Sequence, residues 1–272
     1  MIRVELRKLL RRRRTWVSIL LLCLLPTVVA VFLAVSEVGP RPGEGPAFLS
    51  AVLANGSLYP AAALGIVLPI FLPIAVAVVA GDAIAGEASI GTLRYLLVRP
   101  VGRTRLLVAK LTAVSAFVLL AVLAVAVTAY VVGINVLGSA PVVAGATTTV
   151  SGTPLTSGQL ALRTVLTILY VAWSMLGVAA VSLFLSTITD SALAAALGGL
   201  SALVASTVLV TLDAASSVRD YLPTRYWLAW VDFFRDPILW RDIERGVAVQ
   251  GVYVAVLLGM AWANFTTRDI TS

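Results

Sequence analysis

Long apolar stretches broken by short polar ones run the length of the chain. Residues 15–36, 45–81, 111–162, 164–189, 191–212 and 246–267 contain no Asp, Glu, Lys or Arg. A helix that crosses a bilayer needs about 20 mostly apolar residues, and each of these runs has room for one. The pattern predicts an all-α integral membrane protein with six spans, at residues 15–35, 58–81, 105–134, 160–186, 191–212 and 246–265. Their interiors are expected to be free of ionised side chains. The second run holds Pro60, Pro69 and Pro73. Proline removes an amide donor and crowds the preceding turn, so this span is expected to kink. The fifth run is rich in Ala, Gly and Ser, which lets helix backbones approach closely. Residues 36–57 and 136–158 are rich in Pro, Gly and Ser or Thr and read as loops. The "NGS" at 55–57 reads as a turn before it reads as a glycosylation acceptor.

Composition sharpens this picture. Of 272 residues, 60% are hydrophobic and 12% charged, with a mean hydropathy of +1.01. Soluble domains carry roughly a quarter charged residues. With no sizeable polar block, residues 1–272 read as a single transmembrane domain. There is no His, and Cys23 is the sole Cys. That excludes an intrachain disulfide, a His/Cys metal cluster and histidine-based acid–base catalysis. The net charge of +7 is better explained by anionic lipid and membrane orientation than by nucleic acid.

The chain starts with a basic segment and then an apolar one, as a signal peptide does. The apolar run is longer than a usual signal core and no A-x-A-like site follows, so it is read as a retained first span. Residues 1–14 are expected to form a basic amphipathic helix on the membrane surface. Ile2, Leu6, Leu9 and Leu10 lie on one side; Arg3, Arg7, Arg11 and Arg14 form a stripe on another, with Trp16 as an interfacial anchor. Six spans put both ends of the chain on one side. That side collects thirteen of the twenty Lys and Arg residues, which favours a cytoplasmic assignment. The opposing tension is residues 213–245, whose five arginines then face outward among six acids and are taken as locally paired. This segment also carries Tyr226, Trp227, Trp230, Phe233 and Phe234, and predicts an interfacial or re-entrant helical hairpin on the outer side.

One polar stretch interrupts the middle of the chain, "GDAIAGEASIGTLRYLLVRPVGRTRLLVAK" at 81–110. Ile90, Leu93, Leu96 and Leu97 form an apolar face; Glu87, Arg94 and Arg99 are polar, and Pro100 and Gly102 stop the helix. Its residues alone leave two readings open: a loop helix on the bilayer, or a helix that docks in a partner's groove and passes force.

The same stretch resembles the signature region of permease subunits of type-2 ATP-binding-cassette (ABC) exporters, in which an acid precedes Gly-Thr-Leu, then leucines, then a Pro-x-x-Arg and a Lys that opens the next span. Here those positions are Glu87, Gly91, Thr92, Leu93, Leu96, Leu97, Arg99, Pro100, Arg103 and Lys110. The opening "VELRKLLRRRRTW" and the ending "NFTTRDI" are also similar to that family's two ends. The resemblance implies that residues 82–104, with Asp82, Glu87, Gly91, Thr92, Leu93, Arg94, Leu97, Arg99, Pro100 and Arg103, form a cytoplasmic coupling segment. It implies two copies of an ABC ATPase, which would carry the ATP and Mg, and a second permease, identical or homologous. It also makes 213–245 the hairpin that closes the exit. The chain itself has no G-x-x-x-x-G-K-[ST] phosphate loop and needs no cofactor of its own.

Three rival readings remain. A secondary transporter usually buries an acid or base in the membrane, although broken helices can bind an ion through backbone carbonyls. An intramembrane enzyme needs a nucleophile–base pair or a metal. A membrane sensor or scaffold would assemble with the ATPase without moving cargo. Apolar spans suit an amphiphilic or lipid-like cargo, and Ala/Val/Arg-rich usage with few lysines points to a GC-rich bacterial genome, so that the expected location is a bacterial inner membrane.

Overall fold

The computed structural model describes residues 1–36, 56–89, 102–137 and 155–267. They are helical, with no strand among them. Among the described residues nine α-helices follow in chain order: α1 (Ile2–Arg11), α2 (Arg13–Ser36), α3 (Tyr59–Val67), α4 (Phe71–Asp82), α5 (Ala85–Ser89), α6 (Arg103–Val132), α7 (Ser157–Ile188), α8 (Ala192–Thr211) and α9 (Trp240–Thr267). Among the described residues, five helices (α2, α6, α7, α8 and α9) are long and apolar enough to cross a bilayer. The bent α3–α4 pair makes a sixth if it is counted as one span. The chain is thus a multi-pass membrane protein.

The prolines explain the bend. α3 and α4 meet at 60°, and Pro69 lies in the break at Leu68–Ile70. Pro60 stands at the start of α3 and Pro73 in the first turn of α4, where a missing amide costs no helical bond. Other ends are closed by side chains. Thr156 and Gln159 form a reciprocal capping box at the head of α7, and the Ser191 hydroxyl accepts from the Ala194 amide at 3.2 Å at the head of α8. α7 has 32 residues, about 48 Å at 1.5 Å per residue, so it extends beyond a hydrocarbon core of about 30 Å. It is the central mast, packed against α3, α4, α6, α8 and α9. Apolar side chains on the outside, among them Leu20, Phe32, Leu193, Val204, Val252 and Val256, are exposed and suit lipid contact.

Close packing depends on small residues, as the fifth apolar run suggested. A Cβ on Gly81 of α4 would stand 2.8 Å from the Ala196 backbone nitrogen of α8, a contact that no side-chain rotation relieves.

Three expectations need correction. The basic surface helix does not run through residue 14. α1 ends at Arg11, Arg12 is extended (φ −74°, ψ 123°), and Arg13 and Arg14 open α2. The extended link turns the chain so that α1 can lie against α6 while α2 departs. Residues 213–239 contain no α-helix; three short 3₁₀ turns, at Asp213–Ala215, Arg219–Tyr221 and Ala229–Phe234, take the place of a helical hairpin. Pro223 and Pro237 interrupt this stretch, and the last long helix starts at Trp240 rather than 246. Finally, the spanning helices do carry buried ionised side chains: Lys110 lies about two turns into α6 and Arg163 about two turns into α7.

Replacing Gly81 with Val is expected to destabilise the bundle by about 1–3 kcal/mol through overpacking, read as a lowered thermal midpoint in detergent. Gly158→Ala, at a position with open space around it, should leave the midpoint unchanged or raise it.

Candidate functional site

One end of the bundle gathers six ion pairs among the described residues. α1 lies across the start of α6. At about 100° per residue, Met1, Glu5, Lys8, Leu9 and Arg12 share one face of the opening segment. Glu5 and Leu9 are the buried members. The apolar side chains Ile2 and Leu10 point away from the bundle, exposed at 43% and 48%. The inward face of α1 is therefore mainly ionic.

Glu5 and Lys8 of α1, Glu87 of α5 and Lys110 of α6 form a closed ring of alternating charge. Lys8 Nζ lies 3.2 Å from Glu5 and 3.0 Å from Glu87; Lys110 Nζ lies 3.0 Å from Glu5 and 2.5 Å from Glu87. Each acid meets both bases, so the four charges sum to zero. Glu5, Glu87 and Lys110 are buried, and Lys8 is half-exposed. Burial pushes the Glu5 carboxyl up, but Lys110 and Lys8 more than offset this and hold it below its ordinary 4.5. Burial lowers the Lys8 ammonium, while Glu87 and Glu5 more than compensate and raise it above its ordinary 10.5.

A second ionic contact lies beside the ring. Asp82, the last residue of α4, accepts from Arg12 Nη1 at 2.5 Å, and Arg14 stands 3.8 Å from its other oxygen. Both acids of the α4–α5 corner thus engage the basic opening segment. A neutral side chain holds the corner from the other direction. The Ser186 hydroxyl of α7, fully buried, donates to the Gly81 carbonyl at 2.7 Å and accepts from the Ile84 and Ala85 amides at 3.1 and 2.8 Å. It supplies partners for backbone groups that the α4–α5 break leaves without helical ones.

The chain's far end closes the same region. Arg103 Nη1 donates to the Phe265 and Thr266 carbonyls at 3.3 and 3.0 Å, a cation on the last turn of α9. Trp262 Nε1 donates to Thr104 at 2.9 Å, and Asn264 donates to the Thr187 carbonyl at 2.9 Å.

Of the coupling residues expected from the sequence, Asp82, Glu87 and Arg103 therefore converge here. Gly91, Thr92, Leu93, Arg94, Leu97, Arg99 and Pro100 lie outside the described residues. Arg3, Arg7 and Arg11 are exposed along α1, whereas Arg14 belongs to α2 and leans on Asp82. Trp16 is exposed, its indole donating to the Leu10 carbonyl at 2.7 Å. Glu5, Lys8, Lys110 and Ser186 were not among the predicted site residues. The available signal was Glu5, the single acid in residues 1–36. Nothing in the sequence marks Ser186.

At the opposite end, Tyr226, Trp227, Trp230, Phe233 and Phe234 are all buried, not spread along an interface. Trp230 faces Gly65 of α3 so closely that an added Cβ would fall 2.7 Å from its ring. It meets Phe234 edge-on at 6.2 Å, and Phe233 meets Tyr170 at 6.1 Å and Trp240 at 5.9 Å. The Tyr170 hydroxyl donates to the Tyr226 carbonyl at 2.7 Å. Arg163, buried in α7, donates to the Arg235 carbonyl at 3.1 Å. The local pairing expected of this segment includes Arg235–Asp232 at 2.7 Å and Arg225–Asp220 at 3.8 Å. Together these residues form an aromatic wedge between α3, α7 and α9.

No group of three or more His, Cys, Asp or Glu able to hold a metal occurs among the described residues. Compared with known proteins, residues 1–192 match the family described as "ABC-2 family transporter protein". No curated protein matches the chain.

Breaking the ring on one side should cost far more than removing a pair. Lys110→Met leaves Glu5 and Glu87 to share Lys8, with one buried negative charge uncompensated, and is expected to destabilise the fold by about 3–5 kcal/mol. The double variant Glu87→Gln with Lys110→Met should lose less, since no buried charge is left without a counter-charge. Thermal unfolding of the purified chain compares them. The ring also sets a pH window. The Glu5 contribution is present above 4.5 and lost as pH falls through its lowered value; the Lys8 contribution is present below 10.5 and lost as pH rises through its raised value. A fluorophore on Val4→Cys, in a Cys23→Ser background, should report a docked α1 between these limits and release beyond either.

Proposed function

The chain belongs to the ABC-2 transporter family, and from that premise we propose that it is the permease subunit of an ATP-driven exporter. ATP and Mg bind on a separate ABC ATPase, present in two copies, and a second permease, identical or homologous, completes the pathway. The proposed location is a bacterial inner membrane, with α1, the α4–α5 corner and both ends of the chain on the cytoplasmic side. The cargo is amphiphilic or lipid-like, in keeping with spans whose buried charges sit near their ends rather than at mid-membrane.

The observation that carries this reading is the ionic ring. It ties the surface helix α1, the start of the 82–104 segment and the first turns of α6 to one another. A push delivered to that segment by a docked ATPase reaches α4 and α6 together, since these helices also pack against each other, and moves them as a rigid body. The aromatic wedge lies at the far end of the same bundle, where a pathway that opens at the charged end would have to close. A secondary transporter would use a charged group at mid-membrane. Lys110 and Arg163 are buried, but each lies near a helix end and has protein partners.

The full chain, purified from its native membrane, is expected to bring an ABC ATPase with it. In proteoliposomes of that complex, Glu87→Gln paired with Lys110→Met, which leaves no buried charge without a counter-charge, should preserve assembly yet lower cargo-stimulated ATP hydrolysis by about tenfold, the effect of roughly 1.4 kcal/mol lost from the coupled step. Recovery of the chain without any ATPase, or uptake driven by an ion gradient in the absence of ATP, would overturn the proposal.

A further inference from the structure

A groove of about 280 Å³ runs beneath the elbow between α1 and α2, against α4, with Arg12, Arg13, Arg14, Val17, Val78 and Asp82 in its lining. Its chemistry is divided. Arg12, Arg13 and Arg14, consecutive at the elbow, line it together with exposed valines, Val17 and Val78. Three arginines and a single carboxylate line the groove, a surplus of two positive charges. Asp82 is engaged by Arg12 at 2.5 Å and by Arg14 at 3.8 Å. Arg13 is exposed and makes no ion pair among the described residues. The nearby ring does not absorb the surplus, because its two acids are matched by its own two lysines.

The groove's position gives its depth in a membrane. It lies where the surface helix becomes the membrane-crossing α2, next to the exposed Trp16, a residue type that favours the headgroup level. Directly along α2 follow Leu20 and Leu21, exposed at 63% and 57%. A cationic lining continuous with an apolar strip matches one kind of molecule, which bears an anionic phosphate above a hydrocarbon chain. We propose that this groove binds one anionic phospholipid. Arg13 and Arg14 hold its phosphate by charge-assisted hydrogen bonds, and an acyl chain lies along Val17, Val78 and the outer face of α2. Asp82 competes with the phosphate for Arg12 and Arg14, so lipid occupancy and the contact of the α1–α2 elbow with α4 are linked. This inference needs α2 to cross the membrane but does not depend on the ATPase reading.

Native mass spectrometry of the purified full chain in neutral detergent, without any ATPase, tests it. Phosphatidylglycerol should remain as a single adduct under conditions that strip phosphatidylcholine. Each basic residue near an anionic lipid contributes about fivefold in affinity, so Arg13→Gln with Arg14→Gln should weaken retention by roughly twenty-fivefold. Arg3→Gln with Arg7→Gln removes equal charge outside the groove and should change it by less than about twofold. Asp82→Asn should act in the opposite direction and tighten retention about fivefold, a gain that misfolding cannot produce. Equal losses in the two arginine pairs, loss of retention in Asp82→Asn, displacement of the lipid by millimolar inorganic phosphate, or equal retention of the two lipids would each overturn the proposal.

Discussion

A charge placed among lipid-facing helices has to bring its counter-charge with it. Moving an ion out of water costs several kcal/mol even after relaxation, and hydrocarbon offers no partner. Glu5, Lys8, Glu87 and Lys110 meet this constraint by closing on one another, two acids and two bases from three helices that are distant in sequence. The geometry admits little slack. Were α1 to lift away, Glu87 would keep Lys110 but the ring would lose half its members, and Glu5 and Lys8 would need water. The charges thus act as a positional lock rather than a source of stability. They specify that α1 rests on α6 at the level of the α4–α5 corner, and they oppose sliding or rotation, which would bring like charges together.

The same scarcity of partners governs the backbone. A break in a membrane helix exposes amides and carbonyls that water would otherwise satisfy. At the α4–α5 corner the Ser186 hydroxyl serves one carbonyl and two amides. At the end of α9 a guanidinium from the head of α6 covers two carbonyls, and at the end of α7 the Asn264 amide covers another. These contacts join the terminal turns of α4, α6, α7 and α9 to one another. Two consequences follow from one cause. The end of the bundle is held together because its interrupted helices have to be capped, and a stiff end is what a mechanical input requires.

Much of this was legible in the chain's apolar pattern, and the reasons for the exceptions are specific. Uncharged runs of about 20 residues report hydrocarbon thickness, so the long helices and the proline bend at Pro69 could be read directly. The direction in which α1 faces could not. Its apolar side, with Ile2 and Leu10, reads as a membrane-facing one, and that does not say which side meets the protein, because apolar side chains in a membrane protein have lipid as an alternative to the core. The rule that the hydrophobic face packs inward loses its force there, and the ionic face packs instead. The aromatic segment failed for a related reason. Trp and Tyr are at home at the headgroup level, yet Trp230 fits against Gly65 in the interior, and no local pattern reports a notch cut by a glycine far away in sequence. Lys110 was visible as the end of a motif, but its role depends on Glu5, and that pairing is purely tertiary.

The three-sided character of α1 follows from these points. Met1, Glu5, Lys8 and Leu9 turn inward, Ile2, Leu6 and Leu10 form a second side, and Arg3, Arg7 and Arg11 a third. A helix with only an apolar and a charged side would float on a bilayer and be free to roll. The added ionic side removes that freedom, since rolling by one residue, about 100°, would carry Glu5 away from Lys110. With rotation fixed, the arginine row and the apolar row acquire defined directions relative to the bundle. A surface helix that is free to roll transmits nothing between lipid and protein. One that is pinned makes the α1–α2 elbow, and the charge it carries, part of the same body as the corner at Asp82 and Glu87.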